Sequence, residues 1–171
     1  AGQRVYKSIT KFLKERLRLT VNEQKSAVDN PAKRRFLGFS FAIFQEEVKL
    51  RIAPKTKAKC KEMIRKITNR NWGVSMKERL EKLNTYLLGW SGYFGIAQTK
   101  KIFQELDEWI RRRLRMCLLK QWKLCKTKLS NLISLGIKEK SAGCIACSRK
   151  KYWRLSIAPQ RHNALSLAYW R

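Results

Sequence analysis

TKKIFQELDEWIRRRLRMCLLKQWKLCK, residues 99–126, decides the fold. Ile102, Phe103, Leu106, Ile110, Leu114, Cys117, Leu118 and Trp122 recur at three- and four-residue steps, the period of one helix face. A stripe that long needs other helices to cover it, and the chain supplies them on both sides. Upstream, residues 55–68 set Ala58, Met63, Ile64 and Ile67 among lysines, behind Pro54, a residue suited to a helix start. Asn69 to Gly73 breaks that helix. Ser75 with Glu78 then forms a capping box, which opens a second helix. Its stripe is Leu80, Leu83, Leu87 and Phe94, with Trp90 and Tyr93 alongside. Gly89, Gly92 and Gly95 are costly in a helix and point to close packing or a frayed end. Downstream, short helices are expected at 128–135, ended by Gly136, and at 138–148. Residues 151–157 read as extended and 161–170 as helical.

The N-terminal third is different. Residues 4–18 read as a helix with Val5, Ile9, Phe12, Leu13 and Leu17 on one face. The Asn, Asp and Pro of LTVNEQKSAVDNP, 19–31, read as turns around a short extended piece. Residues 34–52, RRFLGFSFAIFQEEVKLRI, switch to a period of two. Leu37, Phe39, Phe41 and Ile43 alternate with Gly38, Ser40 and Ala42. Beyond a polar turn at Gln45 to Glu47, Val48, Leu50 and Ile52 alternate with Lys49 and Arg51. This predicts a β-hairpin with a large apolar face for a core. Its other face is small on one strand and basic on the next, which lets a sugar-phosphate backbone approach closely. A half-exposed hairpin without a ligand is the plainer alternative.

The 171 residues carry 40 Lys+Arg against 12 Asp+Glu, a formal net charge of +28, with 44% hydrophobic residues. That apolar content predicts a packed core, and charge on that scale opposes compactness unless a polyanion neutralises it. Phosphate backbones are the usual polyanion, with acidic lipid as the rival. Residues 1–52 hold 12 basic and 5 acidic residues, net +7, while 53–171 hold 28 and 7, net +21, so the helical part is the main polyanion surface. No apolar run reaches the roughly 18 residues that span a bilayer, and no signal peptide opens the chain. The chain begins inside a helical pattern, as a piece of a longer protein would. Five cysteines, an odd count, in a Lys-rich chain suggest a reducing, intracellular setting. Cys144 and Cys147 form one CxxC, and Cys117 and Cys125 fall on an apolar helix face. With His162 as the only histidine, free core thiols are a better reading than a four-ligand zinc site.

Catalysis finds little support in the residues. Asp29 sits before Asn-Pro in a turn and Asp107 in an acidic patch of a helix, so no carboxylate pair is spaced to hold a metal ion for nucleotidyl transfer. Cations are plentiful. Arg111, Arg112, Arg113 and Arg115 lead to Lys120 and Lys123; helical spacing spreads 111, 112, 115 and 123 around the side opposite Ile110, Leu114 and Leu118, with Arg113 nearer the flank. Arginine suits bidentate phosphate contact. Trp109 and Trp122 are open to two readings, as base-stacking platforms or as core. A second cluster, SRKKYWR at 148–154, mixes Arg149, Lys150, Lys151 and Arg154 with Tyr152 and Trp153, which suits RNA or an aromatic anchor.

Several stretches together resemble group II intron-encoded proteins, the reverse transcriptase/maturases. They are LTVNEQKSAV (19–28), RRFLGFSF (34–41), LNTYLLGWSGYFGIAQTKKIFQELDEWIRRRLR (83–115), LKQWK (119–123) and SRKKYWRLS (148–156). The resemblance implies a mainly α chain with a small β-hairpin (α+β). Residues 1–52 would be the end of a polymerase palm. Residues 53–171 would be the thumb/maturase domain X, a three-helix bundle with extra short C-terminal helices. It implies that Phe36, Leu37, Gly38 and Phe39 form the primer grip, and that Lys25 stands where a general acid for pyrophosphate departure is proposed, a backbone-contacting lysine being the simpler alternative. It further implies RNA-directed DNA synthesis and splicing assistance by the intact protein, with Mg²⁺ held by palm aspartates upstream of Ala1. The expected partners are group II intron RNA, an RNA template with its DNA primer, a DNA target and the fingers and palm, with no membrane. By that resemblance the chain alone is inactive as a polymerase.

Overall fold

The computed structural model describes residues 1–44, 47–157, 165 and 167–170. It divides into two compact units, Ala1–Ala53 and Pro54–Arg171. The protein is mainly α with a small antiparallel sheet, the class expected from its periodicities.

In the first unit, α1 spans Gly2–Arg16 and buries none of its residues. Val5, Ile9 and Phe12 are more than half exposed. After turns and a 3-10 turn at Pro31–Lys33 come β1 (Arg35–Phe36), β2 (Phe39–Phe44) and β3 (Glu47–Ile52). The sheet order is β1-β2-β3, antiparallel throughout. The sequence predicts one hairpin and the structure adds a second, tighter one. Phe36 pairs with Phe39 across a two-residue turn in which Leu37 (φ 50°) and Gly38 (φ 85°) both adopt positive φ. Two positive φ values match the turn twist to the strand twist, so glycine at the second position is the natural choice. The turn removes Leu37 from the strand, and it is exposed rather than core-facing. On β2 and β3 the pairs Phe39–Ile52, Phe41–Leu50 and Ile43–Val48 share one face. Burial fades along it: Phe39 and Ile52 are buried, but Ile43 and Val48 are exposed, so the apolar face is covered at one end only. The other face pairs Ser40 with Arg51 and Ala42 with Lys49, small against basic. Of the predicted polar turn, Gln45 and Glu46 lie outside the described residues.

The second unit starts with α2 (Pro54–Ile67), α3 (Met76–Phe94) and α4 (Lys100–Gln121). Ser75 caps α3 by accepting a hydrogen bond from the Glu78 backbone N–H at 3.1 Å. Cys60 and Ile64 of α2, Leu83 of α3, and Leu106, Ile110 and Leu114 of α4 form one buried cluster. Cys60, Ile64, Leu83, Leu106 and Leu114 retain at most 3% exposure, so each removes nearly its whole apolar surface from water. Lys57 of α2 donates to Glu105 of α4 at 2.8 Å and draws its carboxyl below the usual range. A Cβ at Gly89 or Gly92 would meet nothing within 4 Å, so close packing does not explain those glycines.

A second, smaller core follows. In α5 (Cys125–Ser134) and α6 (Glu139–Ala146), Leu132, Ala142 and Ile145 gather around Ile137, with Trp122 and Leu129 at the edge. Gly136 (φ 81°) sits in the left-handed conformation that ends α5, as its place in the sequence predicts. Tyr152–Leu155 is a helical turn, α7, packed on α4 rather than an extended segment. So short a stretch has no period to distinguish helix from strand. The expected helix at 161–170 lies mostly outside the described residues, and Leu167–Trp170 is a 3-10 turn.

Candidate nucleic-acid interface

Many of the basic residues are structural, and the structure separates these from the free ones. The C-terminus of α2 leaves carbonyl oxygens unpaired, as every helix end does. Two arginines from neighbouring helices satisfy them. Arg79 of α3, 1% exposed, donates to the carbonyls of Ile67 (2.6 Å), Asn69 (3.0 Å) and Trp72 (3.0 Å). Arg113 of α4 donates to the Thr68 hydroxyl and to the carbonyls of Thr68 (3.2 Å) and Arg65 (3.4 Å). The negative end of the helix dipole takes the place of a carboxylate partner for both.

The arginine run of α4 is distributed likewise. Arg111 reaches back one turn to Asp107 at 2.7 Å. Arg112 stacks on the Trp153 ring, 3.7 Å from its centroid, and points to the Trp153 carbonyl at 3.4 Å. Arg115 is 2% exposed and donates through Nε to the Ser156 carbonyl at 3.1 Å. The expectation that Arg115 lies on the outward side of α4 is therefore corrected. The side opposite the three-helix core faces α7 and Ser156. Burial lowers the affinity of Arg112, Arg113 and Arg115 for their protons, and neighbouring Arg111 and Arg112 add to this at Arg115.

The same packing joins two clusters that are far apart in sequence. Lys120 of α4 and Lys128 of α5 lie 5.9 Å and 5.2 Å from the Tyr152 ring centroid. Arg112 holds Trp153, so 110–123 and 148–154 form one basic-aromatic surface. Lys123, Arg149, Lys150, Lys151 and Arg154 on it are exposed. Among the described residues, none of these five is in an ion pair. Trp109 packs against the first core while Lys61, Arg65 and Arg113 lie 5.2–5.6 Å from its ring centroid. It is thus core on one side and a cation-ringed edge on the other. Trp122 packs on the second core. Sequence reasoning missed Arg65, Arg70, Lys61 and Lys128. The 61/65 spacing, one helical turn, was a usable signal.

In the first unit, Phe36 and Leu37 are each 66% exposed at the tight turn, beside Gly38 and the buried Phe39. Arg51 is exposed, and Lys49 lies 3.5 Å from Glu47. Lys25 is exposed in a turn, its backbone N–H donating to the Asn22 side chain at 3.1 Å.

The thiols divide in two. Cys60 and Cys117 are buried, and burial pushes both up. Cys125, Cys144 and Cys147 are exposed, so the reading of all five as core thiols is corrected. Cys125 and Cys147 sulfurs lie 2.7 Å apart, and their hydrogen bond holds the Cys125 thiol above its ordinary range. Among the described residues no group of three or more His, Cys, Asp or Glu is placed to hold a metal ion. No helix among them is long and apolar enough to cross a membrane.

Residues 57–132 match the family model of the group II intron, maturase-specific domain. No curated protein matches the chain. The matched segment runs from α2 through most of α5 and so contains the three-helix core, the arginine-capped helix end and the α4 half of the basic-aromatic surface. Over that segment the chain is similar to the group II intron maturase-specific domain.

Proposed function

We propose that the chain is the palm tail and thumb of a group II intron reverse transcriptase/maturase. In this reading the thumb grips intron RNA and the template-primer duplex through the surface built on α4 and α7. The observation that carries it is a cluster of exposed cations without acidic partners among the described residues, Lys123, Arg149, Lys150, Lys151 and Arg154, the first of them in the matched maturase segment. The small-and-basic sheet face, Ser40 and Ala42 opposite Arg51 and Lys49, supports a role beside a sugar-phosphate backbone. The exposed turn at Phe36–Phe39 supports a primer grip. Lys25 is exposed and available as the general acid. The half-exposed stripe of α1 fits a helix that the remainder of a palm would cover. Among the described residues no carboxylate set is placed to hold Mg²⁺; in this reading RNA-directed DNA synthesis belongs to the intact protein, with the metal held by palm residues outside this chain. The DNA target belongs to that intact protein as well.

The test is salt-dependent binding of the parent intron RNA. Charge reversal of Arg149, Lys150 and Lys151 should reduce the slope of log affinity against log salt by roughly three, one for each lost phosphate contact. An unchanged slope would remove this surface from RNA binding. Reversal of Arg112, Arg113 or Arg115 is a poor test, since these residues hold the fold.

A further inference from the structure

We propose that the second unit holds a pocket for one unpaired nucleotide of an RNA strand, separate from the exposed phosphate-gripping cations. This rests on the RNA-binding reading above and adds a single-strand site to it. A cleft of about 360 Å³ opens where three elements meet. The end of α2 and the turn after it supply Arg65, Asn69 and Arg70, α4 supplies Trp109 and Arg113, and α7 supplies Trp153. That volume suits a small molecule and is far too narrow for a duplex.

Its chemistry fits a nucleotide at both ends. Two indoles at the wall offer π surfaces for a base, and base–aromatic stacking is worth about 1–3 kcal/mol. Arg112, which stacks on Trp153, is not among the residues that line this cleft. Arg113 is committed to Thr68 and the Arg65 carbonyl. Arg65 and Arg70 are exposed and without acidic partners among the described residues, and no carboxylate lines the cleft. They are free to hold the phosphate. The Asn69 side-chain oxygen accepts from the Asn71 backbone N–H, which leaves its amide donors for a base edge. The order of elements explains why the site was illegible in sequence: its two tryptophans are 44 positions apart and its arginines come from α2, the turn after it and α4.

The experiment uses the full chain with a short single-stranded RNA carrying one 4-thiouridine, and with a duplex of the same sequence. Photocrosslinks should map to the peptides containing Trp109 or Trp153. Arg70→Glu should weaken single-strand binding about tenfold, the loss of one stacked, phosphate-held nucleotide, while duplex affinity changes less than about twofold. A mononucleotide such as AMP should compete only weakly, because a strand adds the neighbouring phosphates. Crosslinks confined to other peptides, equal weakening of both RNAs, or AMP competing as well as the strand would each overturn the pocket while leaving the RNA-binding reading intact. Failure of both RNAs to bind the unaltered chain would overturn both.

Discussion

Helices α1 and α4 look alike in sequence and differ completely in the structure. Both are basic, and both repeat apolar residues at three- and four-residue steps. α4 buries Leu106, Ile110, Leu114, Met116, Cys117, Leu118 and Leu119, and even Arg115. α1 buries nothing. Periodicity announces that a helix has a face to bury, and it is silent on whether the chain supplies the cover. The contrast extends to charge. The cations of α1 show no acidic partner among the described residues, whereas the arginines of α4 are ion-paired, stacked or bonded to carbonyls.

The sharpest way to break this contrast is a matched pair of truncations. Leu114→Ala should cost about 2–5 kcal/mol in urea unfolding of the second unit, because Leu114 is 3% exposed amid the first core. Phe12→Ala, at a site 56% exposed, should cost less than about 0.5 kcal/mol. Equal losses would show that α1 is covered in solution and that the contrast is false.

A somewhat smaller effect is expected where a cation acts as structure. Arg79→Ala should destabilise by roughly 1–3 kcal/mol, since it removes the part-buried bonds to the Ile67, Asn69 and Trp72 carbonyls. Arg79→Lys should recover little, because one ammonium cannot replace a planar fork that spans three carbonyls. Full recovery by lysine would mean that charge alone, rather than fork geometry, caps α2.

The smallest effect is a pH dependence confined to the second unit. Burial pushes the Tyr86 hydroxyl from its ordinary 10.0 up to about 12, and Cys60, bonded to it, is likewise raised from 9.0 by burial. Both groups hold their protons more tightly folded than unfolded. Their contribution is complete below pH 9 and is lost as pH rises through the folded values. Urea midpoints should therefore fall from about pH 9 upward, and Tyr86→Phe should flatten part of that fall. A Tyr86→Phe midpoint that tracks the parent across this range would exclude the tyrosine as a source.

Much of this molecule was legible in its residues. The stripe of 99–126, the Ser75–Glu78 cap and Gly136 fix helices within a few residues of where they occur, because local periods and caps act over one or two turns. The alternation of 39–43 with 48–52 fixes the sheet register, and with it the small-and-basic face. Charge alone pointed to a polyanion. Other features required the tertiary structure. A left-handed turn at Leu37–Gly38 added a strand, and a segment too short to show a period became α7. Most of all, an arginine facing water and an arginine facing a helix's carbonyl end have the same signature in sequence. Only packing brings Arg79 and Arg113 to the end of α2 and Arg115 to Ser156, and only packing leaves Arg65, Arg70 and the 149–151 cations without acidic partners among the described residues. The physical reason is that a cation's partner can be a backbone dipole dozens of positions away, which no local pattern encodes.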